Sequence, residues 1–174
     1  MSVQLRVDRL GRPLNPLVCT PAELAEALLA ECDWFTGVPD SVLRGVLPLL
    51  APYVVAPAEN HAVGLAFGAR LGGRRPCVLI QNSGLGLCGD AVYGLLELYK
   101  RGVLFVVVWR GELPWEEPQH LHWGAVTPQF LDLLGIESFD FEELGLDAVA
   151  AAARVAFAEN RSACVLVRRG NVDE

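Results

Sequence analysis

The sequence is poor in charge, and in positive charge above all. Only 20% of its 174 residues are charged, and Asp and Glu outnumber Lys and Arg by 21 to 14, which gives a net charge of -7. Nucleic-acid affinity comes mainly from clustered Lys and Arg, so this balance opposes a nucleic-acid partner. At 52% hydrophobic, the chain is also too apolar to stay disordered. We expect one compact domain over residues 1–174.

Long apolar runs are missing as well. The longest purely apolar run, Val103–Trp109, has seven residues, whereas a helix needs about 20 to cross a bilayer. The opening residues MSVQLRVDRL contain no apolar signal core. These absences predict a cytoplasmic protein without a membrane partner.

Metal ligands and paired cysteines are also scarce. The five cysteines form no CxxC pair and lie mostly inside apolar segments, which predicts buried thiols rather than disulfides or zinc ligands. The three histidines are His61, His120 and His122. We therefore expect no metal site formed by this chain alone.

Helical and strand-like segments, by contrast, alternate along the whole chain. Thr20, Pro21 and Glu23 form a helix-start signal, because the Thr hydroxyl caps, Pro suits the first turn and Glu closes a capping box. The run VLFVVVW is apolar on both faces, as a central strand of a helix-covered parallel sheet must be. The pattern predicts an α/β fold, a single three-layer domain with a mostly parallel six-stranded sheet.

Four further helices are expected between the strands. One runs from about Glu59 to Leu71 and stops at Gly72 and Gly73. The others are a helix over residues 43–50 disturbed by Pro48, one from the end of NSGLG to about residue 100, and an Ala-rich one over residues 147–159. A polar loop over residues 110–124 should precede another helix start at Thr127 and Pro128.

Polar residues and glycines concentrate at four strand ends. These are GVPDS at residues 37–41, PAEN at 57–60, QNSGLG at 81–86, and WRGE at 109–112 with the loop that follows it. The carboxyl ends of parallel strands share one edge of a sheet, where such folds bind ligands. We expect the functional site there.

Individually, these residues have ordinary structural interpretations. Asp40 is as readily a helix N-cap as a functional group, and Arg110 could be a strand-end cation. His61 suits packing or capping, and His120 and His122 suit a surface pair. Glu59 would be favoured by the helix dipole, but its apolar neighbours favour the neutral, proton-donating form of its carboxyl.

A dinucleotide site is an alternative, because Gly84, Gly86 and Gly89 match GxGxxG and Glu112 follows the next strand. In that fingerprint, however, the strand runs directly into the first glycine. Here the polar residues Gln81, Asn82 and Ser83 intervene, which favours a plain tight loop. Nicotinamide binding stays the lesser hypothesis.

Taken together, FTGVPDS, AENHAVGLAFGARL, QNSGLG, WRGE and EPQH resemble, in order, the pyrimidine-binding domain of phosphonopyruvate decarboxylases and of sulfopyruvate decarboxylase alpha subunits. The resemblance covers about residues 34–134. It implies thiamine diphosphate as cofactor, with Glu59 hydrogen-bonding the aminopyrimidine ring nitrogen so that the thiazolium carbon can lose its proton. It also implies that Asp40 and His120 handle protons. The remaining implied contacts are to the cofactor from Pro39, Asn82, Ser83 and Gly84, and to the substrate from Asp40, Ser41, Arg110 and His120.

The other half of the implied cofactor site is missing from the sequence. Relatives hold Mg2+ and the diphosphate with a GDG motif followed by Asn, and the nearest string, Gly89, Asp90 and Ala91, lies in an expected helix. We therefore expect a partner subunit to supply the diphosphate and Mg2+ domain of a hetero-oligomer such as α2β2 or larger.

The implied function is decarboxylation of 3-phosphonopyruvate to phosphonoacetaldehyde in phosphonate or antibiotic biosynthesis. Sulfopyruvate decarboxylation and a non-catalytic partner module are the alternatives.

Overall fold

In the computed structural model, which describes residues 6–173, six parallel strands form one sheet. Their order across the sheet is β2-β1-β3-β4-β6-β5, and every pairing between neighbours is parallel. In chain order the strands are β1 (Trp34–Gly37), β2 (Tyr53–Val55), β3 (Pro76–Gln81), β4 (Leu104–Trp109), β5 (Glu137–Asp140) and β6 (Ala163–Arg168).

Helices connect the strands and cover both faces of the sheet. They are α1 (Pro21–Glu31), α2 (Glu59–Leu71), α3 (Leu85–Ala91), α4 (Pro118–Leu134), α5 (Phe141–Leu144) and α6 (Asp147–Phe157). Short 3-10 turns span Ser41–Leu43, Leu47–Leu49 and Asn82–Gly84, and a π-helical segment, Val92–Glu97, continues α3. Among the helices formed by residues 6–173, none combines a membrane-spanning length with the apolar character required.

The core has two apolar layers, one on each face of the sheet. Along β4, Leu104, Val106 and Val108 belong to the layer under α1 and α6, whereas Phe105 and Val107 belong to the layer under α2, α3 and α4. Successive side chains of a strand point to opposite faces, so a strand buried on both sides must be apolar throughout. The predicted three-layer α/β architecture and the central position of this strand are confirmed.

The predicted helix ends were correct where the residues that form each signal lie within one helical turn of each other. The Thr20 hydroxyl accepts the Glu23 N–H at 3.3 Å and the Glu23 carboxylate accepts the Thr20 N–H at 2.8 Å, so the predicted capping box starts α1. α2 spans the predicted residues, and Gly73 after it has a φ of 83°, a conformation that favours glycine. All five cysteines are unpaired and buried, as predicted.

Two helix predictions were wrong in extent. In place of a helix over residues 43–50 the chain forms two 3-10 turns, because Pro48 has no N–H to continue an α-helix and Gly45 is a poor helix former. The helix after β3 begins earlier than expected, at Leu85, and ends as the π-helical segment at Glu97. Lys100, its expected last residue, has a φ of 51°, which is not helical.

The expected loop over residues 110–124 was also wrong. α4 starts at Pro118, so His120 and His122 lie on a helix, and the supposed helix start at Thr127 and Pro128 is inside it. A proline in a helix leaves the carbonyl four residues earlier without its helical donor. That carbonyl, on Gly124, accepts the indole N–H of Trp109 at 3.0 Å instead. A contact from β4 therefore makes the internal proline tolerable.

Candidate functional site

An arginine at the carboxyl edge of the sheet links three of the four predicted loops. Arg110 follows β4, and its side chain is only 9% exposed. Its Nη2 donates to Oδ2 of Asp40 at 2.9 Å and to Oγ of Ser41 at 2.9 Å, while Nε donates to the same Asp40 oxygen at 3.2 Å. Asp40 also accepts the Val42 N–H at 2.8 Å, which caps the 3-10 turn after β1. The Asp40 carboxylate therefore caps the 3-10 turn and pairs with Arg110 at the same time.

A second carboxylate, on Glu116, completes the balance of charge around this arginine. Its Oε1 lies 3.5 Å from Nη1 of Arg110 and 3.6 Å from Nε of Arg169, and its Oε2 accepts the Gly111 N–H at 2.6 Å. The Glu116 side chain is 4% exposed. A buried charge is stable only when paired, and here two arginines share two carboxylates. Sequence reasoning missed Glu116, because nothing in the pair Glu116–Glu117 shows which carboxylate is buried.

Asn82 fastens the loop after β3 to the loop after β4. Its amide oxygen accepts the Arg110 N–H at 3.2 Å, and its amide nitrogen donates to the Arg110 carbonyl at 2.9 Å and to Oγ1 of Thr127 at 2.8 Å. The side chain is fully buried. These three bonds use both ends of the amide, so Asn82 positions the loops around Arg110. Thr127 was another residue that the sequence did not single out.

Glu59 opens α2 and is a largely buried residue. It is 8% exposed, and within residues 6–173 its side chain forms no hydrogen bond or ion pair. Gly84 packs directly against it, since a Cβ built on that glycine would lie 2.4 Å from Cγ and 2.6 Å from Oε1 of Glu59. Burial and the neighbouring Glu59 raise the pKa of the Cys88 thiol to about 12. The chain thus surrounds most of the Glu59 side chain without supplying its carboxylate a donor.

His120 borders a small cavity beside Arg110. The cavity measures about 220 Å³, and its lining includes Trp115, Glu116 and Arg169. The imidazole Nδ1 is buried without a hydrogen-bond partner in the described part of the chain. His120 and Arg110 therefore line the same cavity. Two residues that bind one substrate must be placed in this way.

The other predicted residues lie nearby but form weaker links. Pro39 is exposed next to Asp40, and Ser83 is half-buried in the 3-10 turn between Asn82 and Gly84. His61 is exposed and lines a groove between α2 and α3. No hydrogen bond among residues 6–173 joins Pro39 or Ser83 to the cluster around Arg110.

The tight loop expected at the GxGxxG string was wrong. Gly86 and Gly89 lie inside α3, and none of the three glycines has a positive φ. Gly84 and Gly86 instead allow close packing, since a Cβ on Gly86 would come within 2.9 Å of the Trp123 ring. Glu112, the acidic residue of the fingerprint, pairs with Arg168.

Solved structures define the class of fold. The chain superposes on 2-oxoglutarate:ferredoxin oxidoreductase from Magnetococcus marinus with a TM-score of 0.66 and 16% identity, covering 87% of this chain and 28% of that one. It also superposes on benzoylformate decarboxylase from Polynucleobacter necessarius with a TM-score of 0.60 and 16% identity, covering 94% and 34%. The fold is that of an α/β domain which forms about a third of these larger enzyme chains.

Curated sequences define the family. The chain is 32% identical over 112 residues to the sulfopyruvate decarboxylase subunit alpha of Methanococcus maripaludis, covering 62% of this chain and 67% of that subunit. It is 36% identical over 108 residues to the phosphonopyruvate decarboxylase of Streptomyces viridochromogenes, covering 58% of this chain and 27% of that enzyme. The chain belongs to this family of sulfopyruvate and phosphonopyruvate decarboxylases. No protein-family model matches the sequence.

Proposed function

We propose that this chain is the pyrimidine-binding half of a thiamine diphosphate-dependent decarboxylase of 2-keto acids. The observation that carries the proposal is Glu59, a residue only 8% exposed, whose carboxylate has no donor within residues 6–173 and lies against Gly84. A carboxylate that is largely withdrawn from water and has no protein donor suits a ligand that hydrogen-bonds it. Membership of a decarboxylase family supports the same assignment.

Glu59 would hold the cofactor's aminopyrimidine ring by a hydrogen bond at its nitrogen. When bound, thiamine diphosphate supplies a carbon nucleophile and accepts the electrons released when carbon dioxide leaves. Gly84 leaves room for the Glu59 carboxyl, and Asn82 keeps the loop that carries Gly84 in register with Arg110. Pro39 and Ser83 are the further proposed cofactor contacts on this edge.

Asp40, Ser41, Arg110 and His120 would form the substrate side of the site. Arg110 has five N–H donors, and its carboxylate partners hold the planar guanidinium in one orientation beside the His120 cavity. The imidazole of His120, which lines this cavity, would move protons to and from the bound acid. Asp40 holds Arg110 in place and would share that proton transfer.

A separate diphosphate-binding subunit, carrying the Mg2+ ligands, is the partner we propose. The 112 matched residues are 62% of this chain and 67% of the methanococcal alpha subunit, so the two chains have similar lengths. A groove of about 500 Å³ between α2 and α3 begins next to Glu59, at Asn60 and His61. Its rim includes Leu65, 40% exposed, and Leu87, 58% exposed. An exposed apolar rim of this kind suits a subunit interface.

For the substrate we propose 3-phosphonopyruvate, converted to phosphonoacetaldehyde and carbon dioxide. The higher identity, 36%, is to a phosphonopyruvate decarboxylase. Sulfopyruvate is the second candidate, because the relative of similar length is a sulfopyruvate decarboxylase alpha subunit. Both substrates carry a tetrahedral anionic group beside the keto acid, and one site could accept either.

The test is turnover by the complex purified from the native cells with whichever polypeptide accompanies this chain. With Mg2+ and thiamine diphosphate, the complex should release carbon dioxide from one of the two acids, and Glu59→Gln should lower kcat at least 100-fold. Glu26→Gln, an exposed change on α1, is the matched control and should leave kcat unchanged. Full turnover by the Glu59→Gln complex would refute the mechanism.

Two simpler functions predict different results. A dinucleotide-binding domain should bind NADH as an isolated chain, whereas our proposal predicts no saturable binding. A non-catalytic module would leave the activity of the complex intact when Glu59 and His120 are both substituted.

A further inference from the structure

Positive charge is concentrated in one groove next to the His120 cavity, with which it shares Arg12 and Arg169. The groove measures about 480 Å³ and lies between the amino-terminal hairpin over residues 7–13, the segment after the first 3-10 turn, and the residues that follow β6. Five of the chain's 14 basic residues line it, against two acidic ones. These are Arg6, Arg9, Arg12, Arg44 and Arg169, with Asp8 and Asp173. A chain with a net charge of -7 therefore carries a local excess of positive charge.

Two of the arginines are held in place by the surrounding structure. Arg6 donates to the Gly170 carbonyl at 2.5 Å. Arg12 donates to Oδ2 of Asp8 at 2.7 Å, and its guanidinium lies 4.0 Å from the centre of the Trp115 ring. A cation that is already oriented loses little conformational entropy when it binds an anion. This part of the groove is preorganised.

Two other arginines are available for a ligand. Arg9 and Arg44 are exposed, and neither side chain forms an ion pair or hydrogen bond with any residue between 6 and 173. They come from distant parts of the sequence, one from the hairpin and one from the segment after β1. The fold, rather than a basic run in the sequence, brings their charges to one groove. Clefts lined by one sign of charge concentrate ions of the opposite sign.

Backbone contacts hold the hairpin against the sheet. Val7 and Pro13 form an antiparallel bridge, the Asn15 N–H donates to the Arg169 carbonyl at 3.3 Å, and the Trp115 indole donates to the Pro13 carbonyl at 2.9 Å. A side chain on Gly170 would collide with the Asn15 carbonyl at 2.6 Å. The groove is therefore built from segments that the fold fixes relative to one another.

We propose that this groove binds a tetrahedral oxyanion, a phosphate, phosphonate or sulfonate group, free or carried by a larger molecule. Guanidinium groups match such oxyanions, because their parallel N–H donors bind two oxygens at once. The volume exceeds that of one phosphate and accommodates a pyrophosphate or a small phosphorylated compound. The groove does not include Glu59, and oxyanion binding there can be measured without decarboxylase activity.

The test is calorimetric titration of the full chain with inorganic pyrophosphate at low ionic strength. We expect saturable binding, and we expect Arg9→Gln with Arg44→Gln to raise the Kd at least tenfold. The matched control is Lys100→Gln with Arg101→Gln, which removes two positive charges before β4, at the opposite edge of the sheet. That control should change the Kd less than twofold. Circular dichroism should show that both variants keep the wild-type helix content, since all four side chains are exposed.

Further titrations identify the source of the oxyanion. Phosphonoacetate binding at least as tightly as inorganic phosphate would indicate the anionic group of an organic acid, and weaker binding would indicate a free anion; either result supports the site. Pyruvate, a planar monoanion, should bind at least tenfold more weakly than pyrophosphate. Equal weakening by both double variants, or no saturable pyrophosphate binding by the wild type, would overturn the proposal.

Discussion

The contact between Gly84 and Glu59 allows a direct test of how the candidate site is packed. Gly84 has φ -68° and ψ -21°, an ordinary right-handed helical conformation, so alanine fits the backbone there. Alanine is opposed there by a steric clash, because a Cβ at position 84 would lie 2.4 Å from Cγ and 2.6 Å from Cδ of Glu59. Carbon atoms pack at about 3.5 Å or more, so Gly84→Ala must displace the Glu59 side chain by about 1 Å.

We expect Gly84→Ala to lower the free energy of unfolding by about 2 kcal/mol. Overpacking of a close-packed site costs about 1–3 kcal/mol, and the gain from replacing glycine in a helical turn offsets at most about 1 kcal/mol of it. The measurement is urea unfolding followed by circular dichroism. Gly68→Ala in α2 is the control, because nothing lies within 4 Å of the added methyl group, and it should stabilise the chain by up to about 1 kcal/mol.

A double-mutant cycle identifies the colliding partner. Glu59→Ala removes all three atoms that the new Cβ would meet. In that background Gly84→Ala should cost under about 0.5 kcal/mol, which corresponds to a coupling energy of about 2 kcal/mol. An equal cost in both backgrounds, or no cost in the wild type, would refute the packing argument. In the decarboxylase complex that we propose, a 1 Å displacement of the carboxyl should also lower kcat about 100-fold.

The remaining predictions concern the ion pairs at the same sheet edge. Arg110→Ala leaves the Asp40 carboxylate buried without its partner, so urea unfolding should show a loss of about 3–5 kcal/mol; a loss below 1 kcal/mol, typical of a surface pair, would contradict the charge balance derived above. The Arg168 guanidinium, bonded to Asp140 at 2.6 Å, lowers the pKa of that carboxyl below 3.8. The pair therefore contributes stability above about pH 4 that is lost as the pH falls through the lowered pKa. The stability difference between the wild type and Asp140→Asn should accordingly shrink between pH 6 and pH 2.5, and a difference independent of pH would contradict the assignment.

The site residues divide according to how far their partners lie along the chain. Asp40 was open to two interpretations in the sequence, a helix cap or a functional group, and the structure gives it a cap two residues away and an ion pair 70 residues away. Only the first could be predicted locally. Asn82 was expected to touch cofactor or substrate, which stays a prediction, and the structure adds that its amide bonds to Arg110 and Thr127. The sequence placed Asn82 in the correct loop, but the hydrogen bonds of its side chain depend on which strands lie next to each other in the sheet.

Features with local causes could be predicted from the sequence alone. The capping box of α1 is formed by residues three apart, and the apolar character of β4 on both faces predicts burial between two helical layers. Those signals place the polar loops at one sheet edge, because the carboxyl ends of parallel strands share it. Packing between distant segments, by contrast, sets where α4 begins, which of two adjacent glutamates pairs with Arg110, and why a side chain at position 84 would collide with Glu59. Each of these depends on a contact between residues that the chain separates and that only the packed sheet brings together.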